Sequence, residues 1–181
     1  MKHLGTKEIR TERLILRRFT LEDAEPMYHN WASDGEVTKY LTWAAHSDIE
    51  TTRKVLKLWL AGYEKPAFYQ WAIVPKNFGE PIGTISAVDV NDKKQSVEIG
   101  YCIGRQWWHQ GIVSEALAAV LDYFLNQVGA NRVAARHDTA NPHSGMVMQK
   151  CGMQYEGTLR QADWNNQGIC DCAYYSVLAA D

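Results

Sequence analysis

The residues best suited to chemistry lie where a strand-like run, SVEIGYCI (96–103), gives way to a long apolar stretch at 112–128. Between the two stand Trp108, His109, Gln110 and Gly111, followed by Ile112, Val113 and Ser114. A glycine at such a junction lets the chain turn sharply, and the first-turn amides of the helix that follows have no intrahelical partners. The amides of Gly111, Ile112, Val113 and Ser114 are therefore left free, and the helix dipole adds partial positive charge there. Such an end binds an anion, phosphate above all. A second helix start lies at Asn141 and Pro142. Asparagine suits the cap and proline the first helical position. Cys102 and Cys151 have no histidine placed by the sequence to activate them, so no covalent intermediate is expected on either. Cys170 and Cys172 share one strand face but are too few and too close for a zinc site, and no metal is expected.

These residues need a rigid frame, and the hydropathy pattern supplies one. Between 112 and 128 the apolar positions cover more than half of a helical wheel, which marks a helix buried against a sheet, and Gly129 stops it. Upstream, 13–19 alternates as an opening strand, with Leu14, Leu16 and Arg18 on one side. Thr20 to Asp23 resembles a capping box for a helix through Trp31. A short helix is expected over 34–41. Ser47 and Glu50 form a capping box for a longer helix to about residue 64, with Ile49, Thr52, Val55, Leu56, Trp59, Leu60 and Tyr63 on its core face. Strands follow at 68–74, 81–88 and 95–103, joined by turns at Asn77-Phe78-Gly79 and Asn91-Asp92-Lys93. After the long helix come a strand at 132–137, a helix at 142–150, and strands near 153–160 and 169–179 joined at Asn165, Asn166 and Gly168. This order gives an α+β fold with a mixed sheet in one domain, 1–181.

Composition excludes several function classes. The net charge of −2 lacks the basic face a nucleic-acid partner would need. No run approaches the about 18 apolar residues of a membrane span, and the opening MKHLGTKEIRTE has no signal-peptide core, so a cytoplasmic location is expected. Seven tryptophans are present, and Trp31, Trp43, Trp107, Trp108 and Trp164 fall in turn-like contexts, as if lining a groove.

The stretch 108–113 resembles the coenzyme-binding signature of the GNAT acetyltransferases, Arg/Gln-x-x-Gly-x-Gly/Ala at a strand-to-helix junction, departing from it at Trp108 and Val113. The opening TERLILRRF, the strand EIGYCI and the segment NPHSGMVMQKCGM (141–153) follow in that family's order, so the resemblance covers nearly the whole chain. It is closer to the branch that acetylates the N-terminal alanine of ribosomal proteins. The resemblance implies the GNAT acyl-CoA N-acyltransferase fold, a mixed sheet splayed between its fourth and fifth strands with helices on both faces. It implies acetyl-CoA as co-substrate, with Trp108, His109, Gln110, Gly111, Ile112, Val113 and Ser114 at its diphosphate. Tyr101, Cys102 and Ile103 would lie along its pantetheine arm, and Asn141 and Ser144 near its thiol.

For transfer to an amine, the nucleophile must be neutral. An α-amine titrates near about 8 and a lysine near about 10.4, so the former needs only a weak base. Glu98 is the candidate base, acting through water, with His137 and Asp138 as alternatives. Ser144, or a tyrosine near it, is the candidate proton donor to the departing thiolate. Trp43, His46 and His137 are expected on the acceptor side, where Asp34, Glu36 and Asp48 also gather. The expected acceptor is a protein N-terminal α-amine. Polyamines or aminoglycosides are the alternative acceptors, and a non-catalytic CoA-binding module is the alternative class. A homodimer is compatible with the branch.

Overall fold

In the computed structural model, which describes all 181 residues, one strand sets the two-sided architecture. β3 (Gln70–Pro75) is buried along its whole length, so its alternating side chains enter two separate cores. Trp71 and Ile73 join Leu14, Leu16, Ile85, Val97 and Ile99 beneath α4 (Ile112–Asp122), while Ala72 and Val74 join Phe19, Trp31 and Leu56 on the opposite face. That second face is covered by α1 (Ala24–Met27) and α3 (Ile49–Gly62). In α4, Ala116, Leu117 and Val120 are fully buried, and the helix continues as a wider turn from Tyr123 to Val128 before Gly129 ends it at φ 76°. Each large apolar side chain so buried contributes roughly 1.5–3 kcal/mol, which holds the start of the helix rigidly against the sheet.

The remaining elements are β1 (Ile9–Arg10), β2 (Leu14–Arg17), α2 (Gly35–Thr38), β4 (Gly83–Asn91), β5 (Ser96–Ile103), β6 (Arg132–Asp138), α5 (Pro142–Lys150), β7 (Gln154–Asn165) and β8 (Gly168–Leu178). The eight strands run in the order β1-β2-β3-β4-β5-β6-β8-β7. All pairs are antiparallel except β5 with β6, the pair joined through α4. These two strands meet only at Ser96↔Arg132, Val97↔Val133 and Glu98↔Ala134. Beyond Glu98, β5 stays paired to β4 and β6 stays paired to β8, so the sheet opens into a V. A bulge in β4 between Ala87 and Asp89 sits at the level of Glu98 and Ile99. Bulges bend and twist the strand that carries them, and this one turns the β4–β5 ribbon away where contact with β6 ends.

The expected fold is therefore observed, with local corrections: the splay lies between the fifth and sixth strands, not the fourth and fifth, because Ile9–Arg10 adds a short strand at the start of the sheet. The long helix is capped by Asp48, not Ser47: its carboxylate accepts the Thr51 amide at 2.8 Å and the Thr51 hydroxyl at 3.0 Å. A charged acceptor one residue on outcompetes the serine hydroxyl. The helix expected over 34–41 shrinks to Gly35–Thr38, because the chain then leaves to meet another loop. β7 extends to Asn165, with irregular pairing between Leu159 and Asp163 and Gln161 at φ 51°. The box at Thr20 forms, with the Thr20 amide donating to Asp23 at 2.8 Å while Arg17 grips the same carboxylate at 2.7 and 2.8 Å. No helix is long and apolar enough to cross a membrane.

A candidate active site at the splay of the sheet

The open V and the start of α4 share one cleft of about 630 Å³. Its deep end is a cradle of backbone. Gly111 stands at φ 73°, ψ 9°, and His109 two residues earlier at φ 60°, so the chain turns twice through the left-handed region before the helix begins. The first intrahelical bond runs from the Glu115 amide to the Gly111 carbonyl at 3.1 Å, and the amides of residues 110–114 donate to no group of the protein. Two cations flank them: a Cβ placed on Gly111 would lie 3.6 Å from both Arg13 Nη2 and Lys150 Nζ. Arg13 is itself fixed, donating to Glu115 Oε2 at 2.6 Å and to the Gln110 carbonyl at 3.0 Å. Glu115 also accepts the Thr11 hydroxyl at 2.6 Å and the Arg13 amide at 2.8 Å, tying the helix start to the approach to β2. Free amides, a helix dipole, one guanidinium and one ammonium group make an anion site.

Along the cleft lie Tyr101, Cys102, Ile103, Trp107, Trp108, His109, Asn141, His137 and Ser144. Trp108 donates its indole N–H to the Ile103 carbonyl at 2.9 Å, and the His109 ring packs edge-on against His143 at 4.8 Å. Tyr101 reaches across the V to α5, its phenol 3.0 Å from both the Ser144 carbonyl and the Ser144 Oγ. A carbonyl can only accept, so the phenol proton belongs there and the Ser144 hydroxyl keeps its own. Burial pushes the Tyr101 phenol far above its ordinary value, so this pair is neutral at any working pH. Asn141 starts α5 through its backbone, with the Ser144 amide on its carbonyl at 3.2 Å. Its side chain makes no capping bond, which leaves the carboxamide free toward the cleft.

His137 Nδ1 bonds the Asp138 carbonyl at 2.7 Å, and its buried Nε2 has no partner. α5 seats over this ring only because residue 145 is glycine: a Cβ there would lie 2.5 Å from Nε2. Cys102 is driven up to about 12 by burial, and burial raises Cys151 as well, whose Sγ sits 3.2 Å from the Ser114 carbonyl. Both remain thiols, and neither has a base beside it.

The acceptor side differs from expectation. Glu98 stands at the last β5–β6 pair, set back from the cleft, its carboxylate 3.2 Å from Arg136 Nη1, and Arg136 lines the cleft. Arg136 also holds Asp163 at 2.9 Å. Burial raises the Glu98 pKa, with Asp89 and Asp163 adding to the rise and Arg136 opposing it. Trp43 and His46 stand outside the cleft: His46 is buried with Nδ1 on the Thr52 hydroxyl at 2.8 Å, its pKa lowered by burial, and its ring packs on Trp43 at 5.3 Å. The wall they were expected to form is made instead by Glu36, Val37, Lys39, Tyr40 and Leu41. Of the groove tryptophans only Trp107 and Trp108 line it, whereas Trp31 is fully buried in the second core and Trp164 is exposed on β7. Two of the acidic trio are taken up elsewhere, Asp34 capping α2 and pairing with Arg105 at 2.6 Å and Asp48 capping α3, while Glu36 stays in the cleft wall. Arg13 and Lys150, which meet beside Gly111, and Arg136, which enters the cleft from β6, escaped sequence reasoning because only long-range packing places them. No spacing signal marks them.

Residues 13–154 match the family model described as an acetyltransferase (GNAT) domain. The chain is 33% identical over 170 residues to the uncharacterized N-acetyltransferase YoaA of Bacillus subtilis, covering 94% of this chain and 96% of that one. It is 31% identical over 99 residues to the ribosomal-protein-serine acetyltransferase of Escherichia coli, covering 55% of each. Among solved structures, a GNAT-family acetyltransferase from Bacillus anthracis superposes with a TM-score of 0.85 at 24% identity, covering 97% of this chain and all of that one.

Proposed function

This chain belongs to the GNAT acetyltransferase family, and we propose that it moves the acetyl group of acetyl-CoA directly onto a primary amine, foremost a protein N-terminal α-amine. The observation that carries the reading is the set of unpartnered amides at 110–114 opening into the V between β5 and β6. The residues present fit the co-substrate. The amides and the charges of Arg13 and Lys150 hold its diphosphate. The free edge of β5 beyond Glu98 bonds the pantetheine arm as an added strand would. Backbone N–H groups at that edge polarise the thioester carbonyl.

The amine enters past Tyr40 and Arg136 and attacks the thioester carbon. Its surplus proton passes through water to Glu98, whose raised pKa brings it nearer to that task than an ordinary glutamate. The departing thiolate takes the proton of the Ser144 hydroxyl, which Tyr101 orients, as that hydroxyl takes one from water in the cleft, and the proton held by Glu98 returns to solvent to close the balance. No acetyl-cysteine forms, because Cys102 stays protonated. Support for a protein terminus over a compact amine comes from the ribosomal-protein relative.

Calorimetry with acetyl-CoA and a thiol-release assay over peptides beginning with serine or alanine, polyamines and aminoglycosides test the reading together. Heat with acetyl-CoA and fastest release with a peptide are expected. Binding without release on any amine would leave a CoA-binding module, and no heat would remove the site altogether.

A further inference from the structure

The turn between β7 and β8 is more than a hairpin connection. Asn166 makes three bonds to the segment behind the Lys39–Leu41 wall: its amide donates to the Leu41 carbonyl at 3.1 Å, and its Nδ2 donates to the Thr38 and Trp43 carbonyls at 2.8 Å each. Next to it, Asn165 is buried and donates from Nδ2 to Asp138 Oδ2 at 2.7 Å, while its own Oδ1 receives the Gln167 amide at 2.8 Å. Asp138 ends β6 and lines one side of the cleft, and Lys39, Tyr40 and Leu41 line the other. Two consecutive side chains thus tie together two walls that are nearly a hundred residues apart in the chain. Apart from Asn166, the loop at 39–43 is held by one local bond, Leu41 amide to Thr38 carbonyl at 2.8 Å, and by Trp43 packing on His46 and the second core, and it has no strand partner.

From this juxtaposition we infer that Asn166 is a positioning residue for the acceptor, bracing the Lys39–Tyr40 wall at a fixed distance from β6. The inference rests on the amine-transfer reading above. Asn165 completes the brace by fixing the turn to Asp138. Nothing in the brace touches the cradle at 110–114, so acetyl-CoA should not sense its loss. A carboxamide suits the position because two carbonyl oxygens must be satisfied by one side chain, and an Asn Nδ2 carries two protons.

The test is steady-state kinetics of the full chain with acetyl-CoA and its best peptide acceptor, for wild type, Asn166→Ser and Asn166→Ala. Loss of two neutral hydrogen bonds is expected to raise the acceptor KM by roughly 5- to 100-fold in Asn166→Ala, with Asn166→Ser in between. The KM for acetyl-CoA should stay within about twofold, with circular dichroism unchanged. A role in stability alone would raise both KM values together or neither, and either result overturns the brace. If Asn166→Ala fails to fold, Asn166→Ser carries the same comparison, and equal acceptor KM in Asn166→Ser and wild type refutes the inference. Wild type that acetylates no amine at all refutes the underlying transfer reading instead, and the brace with it.

Discussion

Replacing Gly111 by alanine separates the cradle's role in binding from its role in folding. At φ 73° an alanine is held in the left-handed region, which costs roughly 1–2 kcal/mol per residue. Reduced freedom of the unfolded chain returns about 0.4–1 kcal/mol of that. No clash adds to it, since the new Cβ would meet only Arg13 Nη2 and Lys150 Nζ, each at an ordinary 3.6 Å. The apo protein should therefore lose about 1 kcal/mol, or roughly 2–4 °C in Tm for a chain of this length. Binding should suffer more, because the methyl group occupies the space between the two cations and the amides, where the proposed site would hold the diphosphate oxygens. Weakening one charge-assisted hydrogen bond is worth about 1.5–3 kcal/mol, so a rise of roughly 20-fold in Kd for acetyl-CoA is expected by calorimetry. Thermal shift gives an independent reading. Acetyl-CoA at 100 times the wild-type Kd stabilises wild type by about 2.7 kcal/mol, and the variant at the same concentration by only about 1.1 kcal/mol. A variant whose Tm falls as described while its Kd stays within threefold of wild type would refute the cradle, since the amides would then be merely a solvated helix end.

Three further outcomes follow from the same geometry. Glu98→Gln should lower kcat and move the rising limb of the pH profile upward, toward the titration of the amine itself. Because burial raises the folded pKa of Glu98, its charge opposes folding once pH exceeds that value, so the glutamine variant should keep or gain Tm at neutral pH. A loss of Tm that parallels the loss of activity would reduce Glu98 to a partner of Arg136. Ser144→Ala should cut kcat by roughly 10- to 100-fold with the KM for acetyl-CoA little changed, as removal of a proton donor does, and full activity would exclude it from the leaving-group step. Cys102→Ala and Cys151→Ala should both retain turnover, since each thiol is held protonated by burial. Trapping of an acetylated cysteine by mass spectrometry would contradict direct transfer.

The cradle was legible in the sequence because everything it needs is local. A glycine, an apolar helix of the right period and a preceding strand fix the first-turn amides within a few residues, whatever the rest of the chain does. The helix and strand order was legible for the same reason: Leu14 and Leu16, or Ala116, Leu117 and Val120, repeat with the period of their own element. The family resemblance added the splay, which no periodicity contains.

The acceptor side was not legible, and tertiary contact decided it. Trp43 and His46 look like pocket residues in a loop, yet His46 satisfies its ring on Thr52 and turns inward. Asn165 and Asn166 read as turn formers, and nothing in a hairpin signal says that their side chains will reach Asp138, Thr38 and Trp43. Arg13 and Lys150 meet beside Gly111 only because β2 and α5 pack on either side of α4. Backbone dihedrals and hydropathy period belong to neighbours along the chain, so one sequence determines them. Which charged or amide group faces which carbonyl across the cleft depends on how distant elements pack and on the bulge in β4 that parts β5 from β6, and those are properties of the folded molecule alone.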